Sequence, residues 1–136
     1  MTWPPALQEV IDEFSEIEDA MERLEVLMDF AEEVDELSEE EWSDENLVKG
    51  CQSRAHVVLE KRDNTIWMRA AADSKMVQGL MGILTIAVNG GTVEQVLELT
   101  PDFVLEMKVL NTLTPSRSNG FRTMFDMIQK TVKEMK

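Results

Sequence analysis

The sequence predicts an α+β domain, a small antiparallel sheet with helices packed around it. Three observations point there. Apolar residues recur at helical spacing up to Val34 and again from Met76 onward. Between them lies a stretch rich in β-branched and aromatic residues, and an Asp63-Asn64 pair splits that stretch once. Helices, then strands, then helices is the order of an α+β domain.

Pro4 and Pro5 fit the first turn of a helix, where a missing N–H costs little, and Leu7, Val10, Ile11, Phe14 and Ile17 follow as its apolar stripe. Ser15 and Glu18 have the spacing of a capping box, which predicts a second helix from about residue 16. Its apolar stripe is Met21, Leu24, Leu27, Met28, Ala31 and Val34, with acids on the opposite side. Leu37 to Asn46 is dense in charge without periodicity and reads as a connecting loop. Strands are predicted near 53–61 and 65–72, with Ala55, Val57 and Leu59 on one face and Ile66, Met68 and Ala70 on one face of the partner. Ser74 caps an apolar helix, Met76 to Val88, which should be the buried centre; Asn89-Gly90-Gly91 ends it. Thr92 and Gln95 form a capping box for a short helix, Pro101 opens another ending near Lys108, and Thr114-Pro115 precedes the last. That last helix carries Phe121, Met124, Phe125, Ile128, Val132 and Met135 on one stripe and Lys130, Lys133 and Lys136 near its end. The ten Met residues fall mostly on helical stripes and read as core filler.

At 136 residues the chain suits one domain, 1–136, since two would each be short of core. The formal charge is −14, which argues against binding nucleic acid, because phosphate recognition begins with clustered positive charge. The charge is uneven. Residues 1–46 carry 18 acidic groups against one base, Arg23, a net of −17, and the remainder is +3. Two readings stand for the acidic third: a solvated helical face, or a docking surface for a basic patch. No apolar run approaches the roughly 18 residues of a membrane span, and no signal-peptide pattern is visible. The expectation is a cytoplasmic protein that binds no membrane.

One cysteine excludes a disulfide framework within the chain and any all-cysteine metal site. With one Cys and one His, the chain lacks the ligands for a zinc site or an iron–sulfur cluster of its own. It also lacks the resolving cysteine of a self-contained thiol–disulfide oxidoreductase, a P-loop and a Ser–His–Asp set. Carboxylates 39–41 as an acid/base set are outweighed by a disordered or solvated charge run. Cys51 lies in Lys49-Gly50-Cys51-Gln52-Ser53-Arg54. A lone intracellular cysteine is commonly an inert core residue. Here Gly50 permits an unusual backbone or close approach by another molecule, and Lys49 and Arg54 both favour thiolate, the nucleophilic form.

Gly50-Cys51-Gln52-Ser53 before a strand resembles the cysteine loop of the SufE family. Val77-Gln78-Gly79-Leu80 and Leu113-Thr114-Pro115-Ser116-Arg117-Ser118-Asn119-Gly120 agree with it in order and spacing, so the resemblance runs over nearly the whole chain. It implies the SufE/IscU-like fold and a sulfur carrier. Cys51 would accept sulfur from a SufS-type cysteine desulfurase, whose pyridoxal phosphate (PLP) stays in that partner, stimulate the enzyme, and pass the sulfur to a SufBCD-type iron–sulfur scaffold. No cofactor is implied for this chain, and no independent turnover. Gly50, Gln52, Ser53 and Arg54 would support the loop. Arg117 would stabilise a thiolate or persulfide anion, or else donate to carbonyls ahead of the last helix. A carried persulfide benefits from shelter, so Cys51 is expected under partial apolar cover until docking. The runner-up is a regulatory adaptor that binds and activates a desulfurase without accepting sulfur. A more distant option is a peroxide-reactive single-Cys protein, for which no activating motif is visible.

One departure stands out. Family members commonly have Val-Trp where this chain has Ala55-His56. A Cys–His pair would suit nucleophilic catalysis, but an odd separation in a strand would put the two on opposite faces if the strand reached back to Cys51. His56 therefore reads as a structural substitute for the aromatic.

Overall fold

Helix α1 (Pro5–Ser15) has a proline in its first turn and buries Leu7, Val10, Ile11 and Phe14, as the periodicity predicts. The computed structural model describes residues 4–49, 54–100, 102–109 and 115–135, with the backbone alone at residues 104, 105 and 115–117.

Helix α2 (Ala20–Asp29) starts later than the capping-box reading placed it. Asp19 is the cap, its carboxylate accepting the Met21 N–H at 3.2 Å. The Ser15 hydroxyl instead donates back to the Asp12 carbonyl at 2.9 Å, so it is used up at the end of α1. The predicted stripe is only partly buried: Leu27 is, but Met21 is 64% exposed. Arg23 takes the inward position, its guanidinium donating to the Ile17 carbonyl at 2.8 Å. After Asp29 the chain tightens into a 3-10 turn, Phe30–Glu33, which rotates Ala31 and Val34 off the α2 stripe.

Strands β1 (Ala55–Arg62) and β2 (Thr65–Ala72) form the expected hairpin, in register from Ala55 opposite Ala72 to Arg62 opposite Thr65. Asp63 takes the left-handed conformation at the turn, φ 54°. Ala55, Val57, Ile66, Met68 and Ala70 are buried and Leu59 is half-buried, matching the predicted faces. Both outer edges are covered by short pairings. On β2 the Ala70 N–H donates to the Asp35 carbonyl and the Leu37 N–H to the Ala70 carbonyl, at 3.1 and 3.0 Å. Gly90, with φ 83°, turns the end of the next helix so that its N–H reaches the Ile66 carbonyl at 2.9 Å.

Helix α3 (Lys75–Val88), capped by Ser74, packs against α1, α2, the Phe30–Glu33 turn and β2, and is the buried centre. Gly79 and Gly82 permit this. A methyl at either would collide with a backbone carbonyl, that of Leu27 or of Phe30. Thr92 and Gln95 form the predicted box for α4 (Val93–Glu98), with reciprocal bonds of 2.9 and 3.1 Å. Helix α5 spans Asp102–Glu106; Pro101, which was expected to open it, lies outside the described residues. Helix α6 (Pro115–Glu134) buries Phe121, Met124, Phe125, Ile128 and Val132, packs on α3, α4 and β1, and also contributes Gln129, whose amide donates to the Val96 and Leu99 carbonyls. Met68, Met81, Met107 and Met124 are core residues, as expected of the methionines, and Met21 is not.

The architecture is the mixed α+β class that the sequence predicts. Among the described residues no helix is long and apolar enough to cross a membrane.

Candidate functional site

Gly50, Cys51, Gln52 and Ser53 lie outside the described residues, as does the side chain of Arg117, whose backbone falls in the first turn of α6. The expected apolar cover over Cys51 lies outside them too. The structure does describe the two ends that hold this segment.

Those ends are hydrogen-bonded to each other. The Val48 N–H donates to the Ala55 carbonyl at 2.8 Å, and the Val57 N–H to the Asn46 carbonyl at 2.9 Å. Leu47 and His56 thus face each other as an antiparallel bridge, extending the hairpin by a short third segment. The returning end is fixed a second time: the Arg54 N–H donates to the Asp73 carboxylate at 3.1 Å, and the Asp73 N–H to the Arg54 carbonyl at 3.0 Å. Asp73 directly precedes the cap of α3, so the buried helix and the stem share an anchor.

Lys49 and Arg54, the two bases that flank the segment, are both exposed. Lys49 and Leu47 also border an open cleft of about 520 Å³ whose other wall is α6, through Thr123, Asp126, Met127, Lys130, Thr131 and Glu134. The Arg54 guanidinium lies over the Trp42 ring, 5.1 Å from its centroid. Trp42 in turn stacks on His56, with centroids 4.9 Å apart and planes inclined by 29°.

His56 is 2% exposed, and its Nδ1 is 2.6 Å from the Asn46 Oδ1. Burial pushes its pKa below the usual histidine range, and the nearby Arg54 charge acts the same way. Its engagement with an indole supports the reading as a structural residue. β1 begins at Ala55, so strand alternation does not decide whether His56 and Cys51 share a face, and Cys51 lies outside the described residues.

Trp42 and Asn46 are the stem residues that sequence reasoning missed. Both sit in the segment read as a connecting loop, and that reading needs correction. Glu39–Glu41 is a 3-10 turn, and Glu41 is neither disordered nor merely solvated. Its carboxylate takes both arms of the Arg69 guanidinium, at 2.6 and 3.0 Å, and accepts the Ser38 N–H at 3.1 Å. These bonds hold its pKa down at about 2. A carboxylate so engaged is no general base. Sequence offered one weak signal, Ser38 and Glu41 at capping-box spacing. Among the described residues no cluster of His, Cys, Asp and Glu could hold a metal ion.

Residues 8–132 match the family model described as SufE, Fe-S metabolism associated domain. An uncharacterized SufE-like protein of Synechocystis is 33% identical over 128 residues, which cover 94% of this chain and 80% of that protein. A chloroplastic/mitochondrial SufE-like protein of Arabidopsis thaliana is 31% identical over 129 residues, covering 93% of this chain but 34% of the longer plant protein. The fold matches the solution structure of a hypothetical protein from Thermus thermophilus, with a TM-score of 0.82, 21% identity, and coverage of 98% of this chain and 97% of the other.

Proposed function

Because the chain belongs to the SufE family of Fe–S metabolism associated domains, we propose that it carries sulfur for iron–sulfur cluster assembly, with Cys51 as the acceptor. The observation that carries this reading is the family match over residues 8–132, which contains the chain's one thiol. The ordered stem supports it, since a transfer nucleophile must be presented in a repeatable geometry.

The chemistry needs one thiolate. Cys51 attacks the terminal sulfur of a persulfide on the cysteine of a PLP-dependent desulfurase. A new S–S bond forms to Cys51, the donor S–S bond breaks, and the donor cysteine leaves as a thiolate that takes up a proton. No electron is gained or lost overall. The sulfur then passes by the same exchange to an iron–sulfur scaffold, and Cys51 returns to a thiolate. Lys49 and Arg54 favour the attacking form, and Arg117 is the further candidate for stabilising the anion. This chain needs no cofactor for that role, since PLP belongs to the desulfurase, and a reducing compartment such as the cytoplasm suits the lone thiol.

The test is incubation with a cysteine desulfurase and cysteine, followed by digestion and mass analysis. One added sulfur on the Cys51 peptide and faster sulfide release are expected. No adduct and no stimulation would overturn the proposal. Cys51→Ser should abolish transfer while leaving docking intact; stimulation that survives the substitution would instead indicate an adaptor that accepts no sulfur.

A further inference from the structure

The His56 ring in the stem is buried and only half satisfied, and the Nε1 of Trp42 stacked on it is likewise buried with no hydrogen-bond partner among the described residues. Asn46 donates from Nδ2 to the Glu41 carbonyl at 2.9 Å and accepts the Ser43 N–H on Oδ1 at 3.1 Å, which fixes its amide orientation. Its Oδ1 therefore faces His56, and an oxygen there can only accept, so the proton of His56 sits on Nδ1. Nε2 is left as a buried lone pair with no hydrogen-bond partner among the described residues. A proton at Nε2 would find no hydrogen-bond partner among the described residues, and an N–H buried without one costs about 1–3 kcal/mol before any charge is counted. The charged groups acting on the ring are Arg54 from the returning end of the loop, which opposes a second proton, and Asp44 from the 38–46 turn, which favours one. The ring's packing and bonding partners, Trp42 and Asn46, are uncharged, and the Ser43 backbone acts on the ring in the direction of Asp44, favouring the protonated form.

We propose that His56, held as the neutral Nδ1–H tautomer between Asn46 and Trp42, is a positioning residue for the Cys51 loop. Two segments meet at this ring. Asn46 and Trp42 belong to the turn that Glu41 ties to β2 through Arg69, and His56 stands two residues past the point where the loop returns. Removing the Asn46–His56 bond leaves the stem's backbone pairing and the Trp42 stack to tie the returning end to the turn. The functional consequence rests on the reading of Cys51 as sulfur acceptor; the positioning itself does not.

As the chain's one histidine, His56 gives a single imidazole signal in nitrogen-edited NMR. The native protein should show Nδ1 protonated and Nε2 bare, with no second proton taken up near pH 6.5, the ordinary histidine value. A protonated Nε2 would overturn the proposal. Asn46→Ala, and His56→Phe as a second route that keeps a stacked ring, should retain the fold by circular dichroism. Each should lower the kcat of sulfur acceptance from a desulfurase by roughly tenfold at unchanged KM, the scale of one lost hydrogen bond. Wild-type kcat in either folded variant would refute positioning while leaving the acceptor reading intact. If the unsubstituted protein accepts no sulfur, that reading fails instead, and Cys51 alkylation decides the positioning. A faster rate in either variant supports it, and an unchanged rate refutes it.

Discussion

At the residue scale, the stem and its clamp hold two ionisable groups whose pKa values are depressed by different causes, and they act in separate pH windows. His56 is depressed by burial and by Arg54. The unfolded chain takes up a proton near pH 6.5 that the native protein refuses. Its contribution to stability is therefore complete above that pH and is lost as the pH falls toward the native value. Glu41 is held at about 2 against an ordinary 4.5 by the Arg69 fork and Ser38. Its contribution is complete above about pH 4.5 and fades as the pH falls through 2. Thermal melts from about pH 8 to about pH 5 should show a decline that His56→Phe removes and Glu41→Gln leaves in place. Glu41→Gln should instead lower the melting temperature slightly at pH 7, a difference that closes in acid as the native carboxylate is protonated. A decline above pH 5 that survives His56→Phe would assign that window to another group. Arg117 belongs to the same scale. If it stabilises the Cys51 anion, Arg117→Ala should raise the pH midpoint of Cys51 alkylation and Arg117→Lys should partly restore it; an unchanged midpoint would leave it a loop donor.

At the element scale, the decisive contact is helix α3 against α2 and the turn that follows it, and two glycines govern it. Alanine is the better helix former by about 1 kcal/mol, so Gly82→Ala would gain stability if there were room. There is none, because the added methyl meets the Phe30 carbonyl, and backbone cannot move aside as a flexible side chain can. Overpacking costs about 1–3 kcal/mol and should win. Gly79→Ala, against the Leu27 carbonyl, should lose stability for the same reason. Urea unfolding with an unchanged m-value and a lower midpoint is the expected result for each; a higher midpoint would mean that the helices separate at little cost. The contact also marks where sequence reading stops. Apolar density places α3 at the centre, and Asp63-Asn64 places the hairpin turn, because those signals are local. Nothing around Gly79 reveals that the Leu27 carbonyl approaches it. The 38–46 turn was illegible for the same physical reason. Its order comes from Arg69 and His56, which lie in later strands, and a run of acids looks alike whether solvated or clamped. The α2 start was misread because Ser15 and Asp19 both suit a cap, and only the backward bond from Ser15 to Asp12 decides between them.

At the scale of the whole molecule, the candidate site was legible as a lone thiol between two bases, and the acidic third as an electrostatic unit. Every one of the 18 acidic side chains in residues 1–46 is exposed, so the excess of −17 is carried on the surface of α1, α2 and the turns after them. Like charges at that density repel one another in the folded state more than in an expanded chain, which costs stability. Added salt acts on this in two opposing ways. It weakens surface ion pairs such as Arg62 with Glu60, 2.9 Å apart, and it screens the repulsion. An exposed pair contributes at most about 1 kcal/mol, and few such pairs are present among the described residues, whereas the repulsion is summed over many unpaired carboxylates. Screening should therefore win. Between about 0.01 M and 0.1 M sodium chloride the screening length shrinks from about 30 Å to about 10 Å, and the melting temperature should rise over that range. Sulfate also stabilises proteins by exclusion from their surfaces, so chloride is the salt that isolates screening. Charge reversal within the acidic third, with Glu22 and Glu25 each changed to Lys, should raise the low-salt melting temperature and flatten its salt dependence. A melting temperature that falls with chloride would mean that attraction between the acidic third and the rest of the chain outweighs its self-repulsion.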